Sequence, residues 1–387
     1  MERNQYFSIQ HRKFKKSALQ LIATSAFILV AQSANAVDIE KKVIVTAGVD
    51  HDSNPDLVKK NQSPVWIYTV IPQIQLDAKD QVNRWYLDAA VLVQRHSNET
   101  VLINREDPRL AIGWDRTYES GMFGLKGTYV ESSSRAAELK ATGAFTKKDD
   151  TQKDKTLSAN WQHNIAPRWS VLTEGAYRDV VFTAPGTLDN YKLGDISAKL
   201  GYANNEKLDT SIRLGYSHLH PEKTFDDTDL VRLTLGANYQ VNEGFRLASH
   251  AGIYNLSGRQ SDTDWEAGIK ADYEQDRMNY SAELIRGLTA SGIGGFQKTD
   301  SLKLGLLFNM SDLHRIGASY SLEKNRKDKD VGLTNLDFQQ IGAFYERSLS
   351  SHWLARLSAS NKELDAPGST SHSNVIGLSV TYDSFNF

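Results

Sequence analysis

From about residue 40 to the C-terminus the chain alternates apolar and polar letters with period two, and no uninterrupted apolar run breaks the series. A strand turns successive side chains to opposite faces, so each segment can be read as two interleaved sets. From Val231 the odd positions are Val231, Leu233, Leu235, Ala237, Tyr239 and Val241, while the even ones are Arg232, Thr234, Gly236, Asn238 and Gln240. From Trp265 one set is Trp265, Ala267, Ile269, Ala271 and Tyr273, and the other is Glu266, Gly268, Lys270, Asp272 and Glu274. Leu302, Leu304, Leu306, Phe308 and Met310 repeat the pattern, as do Trp353, Ala355, Leu357 and Ala359. The apolar sets tend to begin or end on Trp, Tyr or Phe, as expected where a strand crosses the two lipid–water boundaries. A soluble sandwich would alternate too, but its apolar faces would pack on each other and need no aromatic boundary.

The N-terminus carries a different signal. Arg12, Lys13, Lys15 and Lys16 precede an apolar stretch from Ala18 to Ala31, and Ala34-Asn35-Ala36 has the small-residue form of a cleavage site. Residues 1–36 are therefore expected to be a cleaved signal peptide and residues 37–387 a single outer-membrane β-barrel domain. Beyond Ala31 no stretch approaches the roughly 20 apolar residues of a membrane helix. In lipid every backbone polar group must be satisfied internally, which leaves a closed barrel as the spanning structure. The fold class expected is all-β: a transmembrane antiparallel β-barrel in the outer membrane of a Gram-negative bacterium.

The connections give the strand count. Short ones lie at 77–81, 164–167, 204–207, 242–244, 275–277, 311–312 and 348–351. Longer polar stretches fall near 53–63, 96–106, 132–153, 183–190, 220–227, 257–263, 290–299, 324–333 and 363–373. Short periplasmic turns alternating with long outer loops is barrel topology, and nine long loops imply about 18 strands, with 16 as the alternative. Alternation slips near Gly194-Asp195, Gln339-Gln340 and Asp383-Ser384, which reads as β-bulges reversing the apolar face. The mixed-charge run 146–155 reads as a solvated outer loop. The longest loop, 132–153, is the candidate constriction.

Several functions are disfavoured. The chain has no cysteine, so disulfides, thiolate metal sites and a lipoprotein anchor are excluded. Its net charge is −2, and the leader removes five basic residues and one acid, which leaves no positive field for nucleic acid. Ser217, His218 and His220 are the nearest thing to a catalytic or metal set. Ser217 and His218 are adjacent on a strand and point to opposite faces, and the two histidines lack a third ligand. No catalytic residue, metal or cofactor is expected.

A barrel of this size encloses water, so the inward letters say what could pass. Lys199, Arg213, Arg232, Arg246 and Lys270 come from five consecutive strands and could line one wall as a basic track for an anion or acidic polymer. Interleaved acids make a ladder of salt bridges the plainer alternative. Further inward candidates are Asp88, Glu174, Arg178, Lys303, Arg315 and Arg356. Tyr86 and Tyr254 could stack on sugar rings or merely fill volume.

One segment carries a resemblance. Val45-Thr46-Ala47-Gly48-Val49-Asp50-His51-Asp52-Ser53-Asn54-Pro55, followed by Pro72-Gln73-Ile74-Gln75-Leu76, Trp85-Tyr86-Leu87 and the aromatic C-terminus, resembles a family of outer-membrane β-barrel porins often found with exopolysaccharide or capsule synthesis genes. The architecture is similar to that of alginate-export barrels. The resemblance implies export of an exopolysaccharide together with periplasmic and inner-membrane export proteins. A general nutrient or ion diffusion porin is the alternative reading, and an adhesive or structural barrel with partner-binding loops is another. Outer-membrane lipid, lipopolysaccharide and the barrel-assembly machinery, met through the C-terminal strand, are the expected partners; nucleic acid is not.

Overall fold

The computed structural model describes residues 38–143, 149–183, 188–223, 226–258, 261–326 and 336–384. The proposed signal peptide and the final residues, 385–387, lie outside them. Eighteen strands follow in chain order: β1 (Asp38–Asp52), β2 (Val65–Lys79), β3 (Asn83–His96), β4 (Arg105–Tyr118), β5 (Gly121–Ser133), β6 (Thr151–Ala166), β7 (Trp169–Phe182), β8 (Tyr191–Ala203) and β9 (Leu208–Pro221). They continue with β10 (Thr228–Gln240), β11 (Phe245–Gly258), β12 (Asp262–Gln275), β13 (Met278–Ala290), β14 (Phe296–Asn309), β15 (His314–Arg326), β16 (Leu336–Ser348), β17 (Trp353–Ala366) and β18 (Ser369–Asp383). Among the described residues one helix, α1 (Ser134–Thr142), interrupts the series between β5 and β6; alternation alone led to the expectation of none. Among the described residues no helix is long and apolar enough to cross a membrane.

Each strand pairs antiparallel with its sequence neighbours, and β1 pairs with both β2 and β18, from Ile44↔Asp383 to Asp52↔Val375. The sheet therefore closes on itself with 18 strands, the larger of the two expected counts. Closure matters because an open edge in hydrocarbon would leave a row of unpaired backbone groups.

The outward face is the one the alternation identified. Ile112, Leu157, Ile196, Leu214, Leu235, Ile253, Leu284 and Leu357 stand exposed around its middle. Trp66, Tyr68, Tyr177 and Trp265 ring the long-loop end of this band, and Trp85, Trp161, Trp169, Tyr239 and Trp353 ring the short-turn end. Apolar side chains exposed at this density are stable only against lipid. The fold is a transmembrane β-barrel of the outer-membrane type, and that band places it in the outer membrane.

The three expected bulges are absent. Pairing runs without a shift through Gly194 and Asp195, through Gln339 and Gln340, and up to Asp383. A shift does occur elsewhere, at Asn164/Ala166 between β6 and β7. The slips near Gly194-Asp195 and Gln339-Gln340 had a different cause. Leu193 and Phe338 face inward and are buried, because segments folded into the barrel cover them. Apolar letters changed sets where the lumen itself becomes dry, with no change of face.

Candidate functional site: the lumen

Two connections on the long-loop side fold into the barrel. The first carries α1. Ser133 caps it, its hydroxyl accepting from the Ala136 N–H at 3.1 Å, and Gly143 ends it at φ 71°, a left-handed conformation that suits glycine. A Cβ at Gly143 would lie 3.1 Å from the Glu323 carbonyl oxygen of β15. The chain thus passes from the end of β5 to the wall on the far side of an 18-strand ring. Nine residues of helix advance about 14 Å, whereas a circular barrel of 18 tilted strands measures about 35 Å across. The mouth is drawn in along this line.

Side chains fix the crossing. Arg135 pairs with Asp56 of the β1–β2 connection at 2.5 Å. Leu139 packs on Leu57, Phe338 and Leu364. Glu138, 3 % exposed, accepts from the Ser291 hydroxyl at 2.5 Å and the Gly292 N–H at 3.1 Å, both in the β13–β14 connection. Burial pushes the Glu138 carboxyl above the usual carboxylate range, against the pull of these two donors and of the Arg178 charge.

The second infolding is the β13–β14 hairpin itself. Gly292 sits so close to the Phe182 ring that a Cβ would fall 2.5 Å from it, and its carbonyl accepts from the Asp189 N–H at 2.7 Å. Ala290 and Phe296 join Val180, Phe182, Tyr191, Leu193, Leu219, Leu230, Tyr254 and Leu256 in one buried apolar cluster. All but the first two come from β7–β11, so this cluster fills the outer part of the lumen along that wall.

Beneath it lies a cavity of about 900 Å³ lined by strands β6–β13 and open to the rest of the lumen. Lys199, Arg213, Arg232 and Lys270 line it, with Glu174, Asp195, Glu266 and Glu283 as the facing acids. Four of the five expected track residues are therefore brought together. Arg246 is not among the lining residues; one residue from the start of β11, its Nε donates to Gln240 at 3.2 Å. Lys199 and Arg213 stand directly opposite on β8 and β9. Arg213 pairs with Glu174, and Lys270 with Asp272 at 2.9 Å. No carboxylate partners Lys199 or Arg232 among the described residues. Glu266 is 2.8 Å from the Thr234 hydroxyl and Asp195 is 2.5 Å from that of Ser217, so two of the acids are already engaged.

The other inward candidates mostly serve the wall. Asp88 accepts from Gln73 at 2.9 Å and Gln75 at 3.0 Å. Arg178 pairs with Asp154 at 2.5 Å, and Lys303 with Glu323 at 3.4 Å. Arg315 and Arg356 share Glu346, and the Arg356 guanidinium also lies 3.9 Å from the Phe344 ring centroid. Tyr86 lies over Gly113, a glycine that a Cβ would force into its ring. Tyr254 is 3 % exposed within the apolar cluster and presents no face for stacking on a sugar, which corrects that reading. Ser217 points inward to Asp195. His218 and His220 instead bind Asp229 and Asp227 at 2.8 and 2.5 Å. Among the described residues no group of three or more such side chains could hold a metal.

The loop 132–153 was expected as the constriction and does fold inward through α1, but that helix and the infolding of the β13–β14 hairpin went unread in the sequence, although both left traces. Ser133-Ser134-Arg135-Ala136-Ala137-Glu138-Leu139-Lys140-Ala141-Thr142-Gly143 has a cap, helix formers and a terminal glycine. The apolar inward letters Leu193, Leu219, Leu230, Leu256 and Phe338 mark the walls that the two segments cover.

Architecture of this kind recurs among solved barrels. OccAB4 of Acinetobacter baumannii matches with a TM-score of 0.50 at 10 % identity, over 90 % of this chain and 98 % of that one. OpdQ of Pseudomonas aeruginosa matches at 0.50 and 10 %, over 89 % and 98 %. The outer membrane protein OpdK of Pseudomonas aeruginosa matches at 0.50 and 10 %, again over 89 % and 98 %. At such identities the likeness is one of fold. No family model and no curated protein matches the sequence. The link to exopolysaccharide loci therefore gains no support, whereas the outer-membrane porin architecture does.

Proposed function

We propose that this barrel is a passive outer-membrane channel for small water-soluble solutes, with a preference for anions set by the β8–β12 wall. The observation that carries the reading is the cavity of about 900 Å³ with charged side chains in its lining, among which Lys199 and Arg232 have no carboxylate partner. A volume of that order suits a small molecule. A moving anion can take the hydrogen bonds of an unpaired ammonium or guanidinium, while the paired Arg213 and Lys270 keep their neighbours neutralised.

Diffusion of small solutes is preferred here to polymer export. Helix α1 and the β13–β14 hairpin narrow the outer end of the lumen, and a polysaccharide chain would have to thread between them. Nothing in the site favours an adhesive role, and the reading requires no covalent chemistry, cofactor or metal. Lipid and lipopolysaccharide are the proposed surroundings of the outward band. Assembly through the C-terminal strand would use β18 and the residues that follow it.

Liposome swelling tests the proposal. Vesicles carrying the protein should swell in small sugars, amino acids and dicarboxylates, fastest for the anions, and should exclude oligosaccharides of several units. Swelling at an equal rate in large oligosaccharides, or none in any solute, would refute it.

A further inference from the structure

The wall of this barrel has a seam. Pairing of β12 with β13 runs from Gln275↔Met278 to Ala267↔Arg286 and stops there, although β12 continues to Asp262 and β13 to Ala290. On its other side β12 stays paired with β11 up to Leu256↔Asp262. Above Ala267, then, β12 presents an edge towards β13, and β13 has left the wall.

Charge replaces the missing pairing. The Trp265 N–H is met by the carboxylate of its own neighbour, Asp264, at 2.8 Å. Lys298 belongs to β14, two strands away, yet it bonds Asp262 and lies 3.1 Å from Asp264. Arg286 reaches Asp264 at 3.2 Å and lies 3.8 Å from the Trp265 ring centroid. Arg286 and Lys298 are even-numbered, on the face that Leu284 and Leu304 turn to lipid lower down the same strands. Here Arg286 meets both sides of the free β12 edge, Asp264 on its inner face and the Trp265 ring on its outer face, while Lys298 meets Asp262 and Asp264 on the inner face. The β13 arm and the tip of the hairpin have stepped inside the barrel, while β14 stays paired with β15 as far as Lys298↔Arg326, and four charges clasp the hairpin to the edge it left.

The vacated place fits the sequence as well. Continuing the register from Ala267↔Arg286 would set Glu266 opposite Gly287, Trp265 opposite Leu288, Asp264 opposite Thr289 and Thr263 opposite Ala290. By parity Trp265 and Leu288 would face lipid, and Asp264 and Thr289 would face water. Residues 287–290 thus carry the pattern of an ordinary barrel strand while occupying the lumen.

The geometry points to the β13–β14 hairpin as a gate with two seats. In one, the clasp of Asp262, Asp264, Arg286 and Lys298 holds the tip inside against Phe182. In the other, β13 zips onto β12 and the tip leaves the lumen. In the first seat Ala290 and Phe296 join the apolar cluster and Asp264 takes the Trp265 N–H; in the second the free β12 edge would be paired, and two such alternative arrangements are what a two-state element requires. The inference concerns the barrel wall and does not depend on which solute crosses it.

Thiol labelling tests this independently of conduction. The chain has no cysteine, and Ser291→Cys puts a near-isosteric thiol at a site 2 % exposed in the tip. A bulky maleimide added to cells should label it slowly. Adding Lys298→Ala or, separately, Asp264→Asn should raise the rate about tenfold, the response of a two-state equilibrium to the loss of part of its clasp, and Lys298→Arg should leave it slow. The two breaking variants act on different strands, so a folding failure of one leaves the other to decide. Labelling in either folded variant at the rate of Ser291→Cys alone would overturn the gate, as would rapid labelling of Ser291→Cys itself.

Discussion

Glu138 is the residue whose chemistry most directly couples the crossing helix to its surroundings. Its carboxyl is raised by burial, so the folded state binds the proton more tightly than an unfolded chain does. Between the ordinary carboxylate value and that raised value the folded state holds more protons, and its stability falls as pH rises. The anchorage of α1 on Ser291 and Gly292 should accordingly be firmest in acid and loosen as pH climbs through that window. Conductance is expected to rise with pH there, and Glu138→Gln, neutral at every pH, should abolish the dependence; bilayer recordings from pH 4 to 8 read both. A second prediction concerns the cavity wall. Arg213→Glu with Arg232→Glu should move the reversal potential towards cation selectivity by on the order of 20 mV in a tenfold salt gradient, where complete selectivity gives about 59 mV. An unchanged potential would mean that the wall charges are structural ladders and do not select.

For single elements, the alternation was legible because lipid on one side and water on the other impose a strict period of two. Strands β10, β12, β14 and β17 could be read letter by letter for that reason. Of the infolded elements only the loop 132–153 was anticipated, by its length, because period two says nothing about a face that turns dry from within. Leu193 and Phe338 looked like register errors until α1 and the hairpin were seen to cover them. The basic wall was partly legible: parity found the inward bases, but only the cavity separates Lys199, Arg213, Arg232 and Lys270 from Arg246. Helix α1 offers a direct test of the crossing. Gly143→Val puts a β-branched side chain at φ 71° and against the Glu323 carbonyl. The substitution should cost about 1–2 kcal/mol locally, unseat the end of α1 and speed protease cleavage within 134–150, while the barrel itself remains resistant.

Considered whole, the molecule is a closed sheet with lipid outside, water inside and two of its outer connections folded into its mouth. That picture makes the two sides of any strand unequal. Leu235, 59 % exposed at the middle of β10, should tolerate arginine poorly, by about 2–4 kcal/mol in unfolding from bilayers. Asn238→Arg, three residues along the same strand but facing the lumen, should be close to neutral. Equal costs would mean that β10 does not separate lipid from water. The most direct measurement is the electrical one. The purified protein is added to a planar lipid bilayer in salt solution, and the current is recorded at fixed voltage. Discrete upward steps are expected, each a single barrel admitting ions through a water-filled lumen. A protein that stays soluble without detergent, or inserts and passes no current at any pH, would contradict it.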